Sequence, residues 1–149
     1  MRISLTSIVL LFISSSALAH GEDKFGPNKG FVRMPGAFHT EIVPFEKNKI
    51  KVYLLDIAWK NPTVLDSEVK ATLISKSTED AVCAVKKNYF ICSFSKSVNL
   101  KKKAELQVTA TRENKKGNVA VYNLPLKLEK VPEIEMKKTE DKIDHSSHH

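Results

Sequence analysis

Along residues 42–128 apolar and polar residues alternate in short runs, and the period is that of strands. Ala104, Leu106, Val108 and Ala110 interleave with Glu105, Gln107 and Thr109. Successive side chains of a strand point to opposite faces, so this run reads as one buried face and one wet face. Residues 68–75 repeat the pattern with Val69, Ala71 and Leu73. Residues 50–59 (IKVYLLDIAW) are rich in β-branched and aromatic side chains and stop at the turn signal Asn61-Pro62, with Trp59 expected as a core anchor on this early strand. Residues 81–86 and 89–94 form a strand-like pair around Lys87-Asn88. Lys115, Lys116, Gly117 and Asn118 are expected to turn the chain into a final strand over 119–128. Within that strand Pro125, which lacks an N–H, marks an edge or a bulge. No stretch supports a helix longer than a turn. Roughly six short strands, with turn signals about every ten residues, predict an all-β fold: an immunoglobulin-like antiparallel β-sandwich, with a barrel as the alternative.

The flanks differ from this middle. Arg2 precedes an apolar stretch over residues 3–13, and small residues follow it, ending in Ala17-Leu18-Ala19. This is the layout of a cleavable signal peptide, and the stretch is shorter than the ~20 residues that span a bilayer. Residues 1–19 are therefore expected to be removed, leaving His20 as the first mature residue and placing the protein in the periplasm or outside the cell. Residues 20–39 hold Gly21, Gly26, Pro27, Gly30, Pro35 and Gly36 and read as an irregular segment of the same domain, 20–130. Residues 131–149 alternate Lys and Glu before His145, His148 and His149. Too little apolar surface is available there to offset ordering entropy, so a disordered charged tail is expected.

The full chain of 149 residues carries a formal +7; without residues 1–19 it has 23 Lys and Arg against 17 acidic residues, a formal +6. The lysines are scattered, and the arginines are only Arg2, Arg33 and Arg112. That pattern lacks the arginine-aromatic stripe that grips phosphates and bases, so no nucleic-acid partner is expected. A peripheral attraction to anionic membranes is the most that charge alone supports.

Cys83 and Cys92 are the two cysteines. If Lys87-Asn88 is a two-residue hairpin loop, Lys86 pairs with Tyr89, Val85 with Phe90, Ala84 with Ile91 and Cys83 with Cys92. The cysteines then fall at a non-hydrogen-bonded pair, where Cα atoms sit about 4.5 Å apart, at the short end of disulfide geometry. In an oxidising compartment this predicts a structural disulfide.

Five histidines are clustered toward the ends: His20, His39, His145, His148 and His149. A mature N-terminal His20 chelates through its α-amine and imidazole together. With His39 as a third nitrogen it makes a T-shape that suits Cu(II). Met34 adds a thioether that favours Cu(I), and Glu22 and Asp23 offer oxygens. The alternative is that His39 and Met34 simply pack. The histidines of the tail bind Ni, Cu or Zn weakly, as most His clusters do.

The stretch HGEDKFGPNKGF, followed by MPGAFHTEIV and the strand KVYLLD, resembles a segment of small periplasmic heavy-metal-binding proteins and efflux-adaptor domains. Their pattern runs roughly H-G…G-P-H-G-G…F-H-x-E-L/V. The match covers about residues 20–59. It departs where Asn28 and Lys29 stand in place of the pattern's His and Gly, so of its histidines only His20 and His39 have counterparts. The resemblance implies metal handling with copper first, and a metal-efflux or envelope protein as partner.

No G-x-S-x-G motif, paired acid and base or helix-opening glycine loop is present. The expectation is therefore a non-catalytic exported protein that carries, buffers or donates copper through His20, Met34 and His39. The alternative is a structural or interaction module of the cell envelope, in which the Gly/Pro-rich segment binds a partner or covers an edge.

Overall fold

The computed structural model describes residues 20–21 and 23–128, with the backbone alone for 20 and 21. The expected signal peptide (1–19) and charged tail (131–149) lie outside the described residues. No helix occurs among them, and in particular none is long and apolar enough to cross a membrane. The strands are β1 (His20–Gly21), β2 (Phe31–Met34), β3 (His39–Glu46), β4 (Lys49–Leu55), β5 (Glu68–Ile74), β6 (Thr78–Asp80), β7 (Val82–Lys86), β8 (Tyr89–Ser93), β9 (Ala104–Arg112), β10 (Lys115–Lys116) and β11 (Ala120–Leu124).

They form two antiparallel sheets. One runs β1-β2-β3-β4-β8-β7, and the other runs β10-β9-β5-β6 with β11 also on β9. The alternation read from the chain decides which faces meet. Ile42, Ile50, Val52, Leu54, Phe90 and Cys92 from the first sheet pack on Val69, Ala71, Leu73, Leu106, Val108 and Tyr122 from the second. The expected antiparallel β-sandwich is thus the architecture observed. Complete burial of a Leu or Ile side chain stabilises by about 1.5–3 kcal/mol, so this shared face is the main favourable term.

The N-terminal segment is more ordered than its glycine and proline content suggests. Residues 31–34 are a strand, paired to β3 in the register Phe31↔Ile42, Val32↔Glu41 and Arg33↔Thr40. Arg33 lies 4% exposed, its guanidinium 4.8 Å from the centre of the Tyr122 ring, and its Nε donates to the Val121 carbonyl at 3.0 Å. This ties β2 across to the second sheet. Tyr122 in turn donates to the Thr40 carbonyl at 3.1 Å, and burial pushes its phenol pKa well up.

Three local expectations are corrected. The strand expected over 50–59 ends at Leu55, because the Asp56 side chain turns the chain. Trp59 is therefore not a core anchor; it stands half-buried in a loop outside the sandwich core. The turn before the last strands falls at Glu113 and Asn114, both with positive φ (48° and 62°), and Lys115–Lys116 is instead a strand on β9. Asn is among the residues that best tolerate this left-handed conformation, which a lysine–glycine reading overlooks. Finally, the last strand stops at Leu124, one residue before Pro125.

The Cys83–Cys92 disulfide is present, in the expected register Cys83↔Cys92, Ala84↔Ile91, Val85↔Phe90 and Lys86↔Tyr89, with Cα atoms 4.0 Å apart. It ties edge strand β7 to β8, whose other side pairs with β4. Cys83→Ser should lower unfolding free energy by about 2–3 kcal/mol, the loop-closure contribution expected of so short a loop. Denaturant titration of the variant checks this, and an unchanged midpoint would show that β7 is held by other contacts.

Candidate functional site

On β3 the even-numbered residues face the sandwich interior: Ile42 is in the core, and Thr40 Oγ1 lies 2.8 Å from the Tyr122 hydroxyl. Period 2 then puts His39 and Glu41 on the outer face. Both are nonetheless buried, at 4% and 0% exposure, because two loops fold over that face.

The first loop spans residues 26–30. Gly26 N donates to the Gly30 carbonyl and Lys29 N to the Gly26 carbonyl, both at 2.9 Å, with Lys29 at φ 60°. The turn closes on the Glu41 carboxylate. Oε1 accepts from Asn28 N and Gly30 N, each at 2.8 Å, and Oε2 accepts from Asn28 Nδ2 at 2.9 Å. A buried carboxylate is costly unless its lone pairs are met, and here three N–H donors meet them. A Cβ at Gly26 would lie 2.5 Å from the Glu41 carboxyl carbon, and one at Gly30 would lie 2.6 Å from the Ile42 carbonyl oxygen. The two glycines are therefore required by close approach to β3. Asn28, where the resembled pattern has a histidine, supplies two of the three donors.

The second loop spans residues 56–61. Asp56 Oδ1 accepts from Ala58 N (2.9 Å) and Lys60 N (2.8 Å), and Oδ2 accepts from Asn61 Nδ2 (2.7 Å). Arg112 reaches over from β9, its Nη2 donating to the Asn61 carbonyl at 2.9 Å. Trp59 and Asn61 both take positive φ, 62° and 50°. This places the Trp59 indole against His39, with ring centroids 5.6 Å apart, edge to face. The Lys24 ammonium lies 5.1 Å from the Trp59 ring centre on the N-terminal side.

His39 is oriented by both neighbours. Its Nδ1 lies 3.1 Å from the Asp56 carbonyl oxygen, and its Nε2 accepts from Trp59 Nε1 at 3.2 Å. A carbonyl only accepts, so Nδ1 carries the proton and Nε2 presents its lone pair. A backbone carbonyl on one ring nitrogen is the arrangement that commonly holds a metal-ligating imidazole, with the other nitrogen as the donor to metal.

The three residues expected as ligands fall together in the sheet. β1 pairs with β2 in the register His20↔Met34 and Gly21↔Arg33. Continuing the Arg33↔Thr40 pairing by one residue sets Met34 opposite His39 at the mouth of the β2–β3 hairpin. The backbone positions of His20, Met34 and His39 therefore make one row across three adjacent strands, with Leu55 next on β4. Met34 is 40% exposed. Among the described residues no three His, Cys, Asp or Glu side chains gather in a way that holds a metal. Residue type singles out His20, Met34 and His39; it does not single out Asp56 or Glu41, and it assigns Trp59 to the core. The Asp-x-x-x-Lys-Asn spacing after a strand was the available signal for the second loop.

No family model, curated protein or solved structure matches this chain.

Two tests probe how the site is held. Glu41→Gln puts an amide NH2 among N–H donors and should cost about 2–3 kcal/mol, the range for losing hydrogen bonds to a charged group, read as a lowered denaturant midpoint. The Asp56 pKa lies below the ordinary value, chiefly through the Lys60 backbone hydrogen bond and then the Asn61 amide. A depressed folded pKa means the carboxylate's contribution is complete above the unfolded value near 4 and disappears as pH falls through the folded one. Trp59 emission should therefore shift to the red below about pH 4, before global unfolding by circular dichroism. Emission that changes only together with the global transition would show that Asp56 does not set the loop.

Proposed function

We propose that this protein is an exported copper-handling protein, a carrier, buffer or donor, that binds the metal at the row His20–Met34–His39. The observation that supports this reading is the strand register, which sets the backbones of His20, Met34 and His39 in one row on three strands. Two features add to it. The Asp56 carbonyl leaves Nε2 of His39 as the basic nitrogen, and the resemblance of residues 20–59 to periplasmic heavy-metal proteins points to the same class of cargo. Copper at His39 takes the place of the Trp59 N–H, so capture is coupled to movement of the indole. The disulfide agrees with an oxidising compartment outside the cytoplasm. A metal-efflux or envelope protein is the partner such a role requires.

A second reading, an interaction module of the envelope, is favoured by strand β7. Among the described residues it pairs on one side only, with β8, and it exposes Val82 (76%) and Val85 (56%). An edge of that kind is a ready template for another strand.

The test is copper titration of a chain spanning residues 20–130, so that His145, His148 and His149 cannot contribute. Cu(II) should quench Trp59 fluorescence on binding. One extra residue before His20 removes chelation by its α-amine, and His39→Ala removes the third nitrogen. Each should weaken Cu(II) binding at least about tenfold, the lower end of what even outer-sphere changes cost at metal sites. Met34→Leu should weaken Cu(I) more than Cu(II), because the thioether is a soft ligand. Binding should also fall with pH, since amine and imidazoles bind only when deprotonated. Equal affinity across the native, extended and His39→Ala forms would sink this site and leave the interaction reading.

A further inference from the structure

At the end of the sandwich away from His39, three loops join into one lysine-rich platform. The β3–β4 turn, the β5–β6 turn and the long β8–β9 connection meet there. Phe94 N donates to the Asn48 carbonyl and Leu100 N to the Lys47 carbonyl, both at 3.0 Å. The Asn48 amide donates to the Phe94 carbonyl at 2.7 Å, and Glu79 accepts from Ser95 N at 2.6 Å. These bonds fix the relative positions of Lys47, Lys76, Lys96, Lys101, Lys102 and Lys103, all exposed. Among the described residues none of the six forms an ion pair. The nearby carboxylates are engaged elsewhere: Glu46 with Lys49 at 2.9 Å, and Glu79 with Ser95.

The platform has an apolar centre. The pairing of β3 with β4 slips between Pro44 and Glu46, and this bulge turns Phe45 outward to 46% exposure, with the Lys51 ammonium 4.5 Å from its ring centre. Beside it a cavity of about 230 Å³ runs between the sheets, lined by Phe31, Ile50, Leu100, Leu124 and Leu126, with Lys47 and Lys101 at its edge. Bulges commonly re-aim a side chain. An exposed aromatic with Lys51 at its ring and Lys47 and Lys101 beside it matches a bilayer surface, where apolar atoms enter the headgroup region and cations meet lipid phosphates. The opposite end is more evenly balanced, with Asp56, Asp66, Glu68 and Glu113 among its lysines.

We infer that the protein docks on anionic phospholipid membranes through this platform, with Phe45 inserted and the lysines over the phosphates. β3 runs from His39 at one end to Glu46 at the other, so at a strand rise of about 3.3 Å per residue the His39 row stands roughly 23 Å away from the docked end.

Vesicle co-sedimentation of the chain from His20 onward tests this at low salt, with phosphatidylcholine alone and with phosphatidylcholine containing phosphatidylglycerol. Binding should require phosphatidylglycerol. It should fall about 100-fold in Lys101→Glu/Lys102→Glu/Lys103→Glu, on the order of fivefold per lysine at an anionic surface. It should fall far less in Lys60→Glu/Lys115→Glu/Lys116→Glu, which changes net charge equally at the other end. Phe45→Trp keeps an aromatic and should show a blue-shifted emission on vesicles. Equal loss in the two triple variants would reduce the effect to net charge and overturn the platform. Absence of binding to phosphatidylglycerol vesicles would overturn membrane docking, and binding to a polyglutamate peptide in its place would make the partner an acidic protein.

Discussion

The buried carboxylate of Glu41 is the constraint on which the outer face of this sandwich depends. Its three N–H donors come from one short turn, and that turn brings the N-terminal segment across β3. Without it the Gly/Pro-rich stretch has little apolar surface with which to hold itself against the sheet. With it, β2 is seated on β3, Arg33 reaches the second sheet, and β1 has an edge to pair with. A charge buried in this way is not a cheap source of stability, because desolvation cancels much of what the hydrogen bonds return. What it supplies is geometry: both oxygens hold the 26–30 turn at one place over β3 through Asn28 and Gly30.

The core was legible because it obeys a period. Ala104 to Ala110 and Val69 to Leu73 announce their buried face by alternation, and the hairpin register follows from counting outward from Lys87-Asn88 to the cysteines. Those readings use only the rule that neighbours in a strand face opposite ways. Glu41 defied it. It sits on the polar side of β3, so its place in the alternation predicts water, yet it is the most enclosed carboxylate described. The burial comes from a loop 11 to 13 residues away in sequence, and no local pattern encodes that. Trp59 failed for the opposite reason. Its size and the β-rich run before it suggest a core position, but Asp56 captures two backbone N–H groups and ends the strand first.

The candidate ligands illustrate the same division. Residue type singled out His20, Met34 and His39, and strand pairing set their backbones in one row. What residue type could not supply is the way His39 is held. Its tautomer follows from the Asp56 carbonyl, and its basic nitrogen faces the indole N–H of Trp59, a residue whose size suggests the core. Orientation of that kind is a property of two loops meeting over a sheet. It becomes visible only when their backbones are placed.

On the function proposed above, the two loops also explain why capture and release at His39 need not disturb the fold. Trp59 is not part of the packed interior, and its loop is tied to the sandwich at Asp56 and through Arg112, on either side of the indole. Displacing the indole from Nε2 breaks one neutral hydrogen bond, a contribution of about 1 kcal/mol, while the Asp56 turn and the Glu41 turn persist. The imidazole stays fixed by its other nitrogen as the exchange takes place. A site whose blocking group leaves without melting its scaffold suits a protein that takes up and passes on a ligand. A histidine locked inside the apolar core would bind only at the expense of the packing that surrounds it.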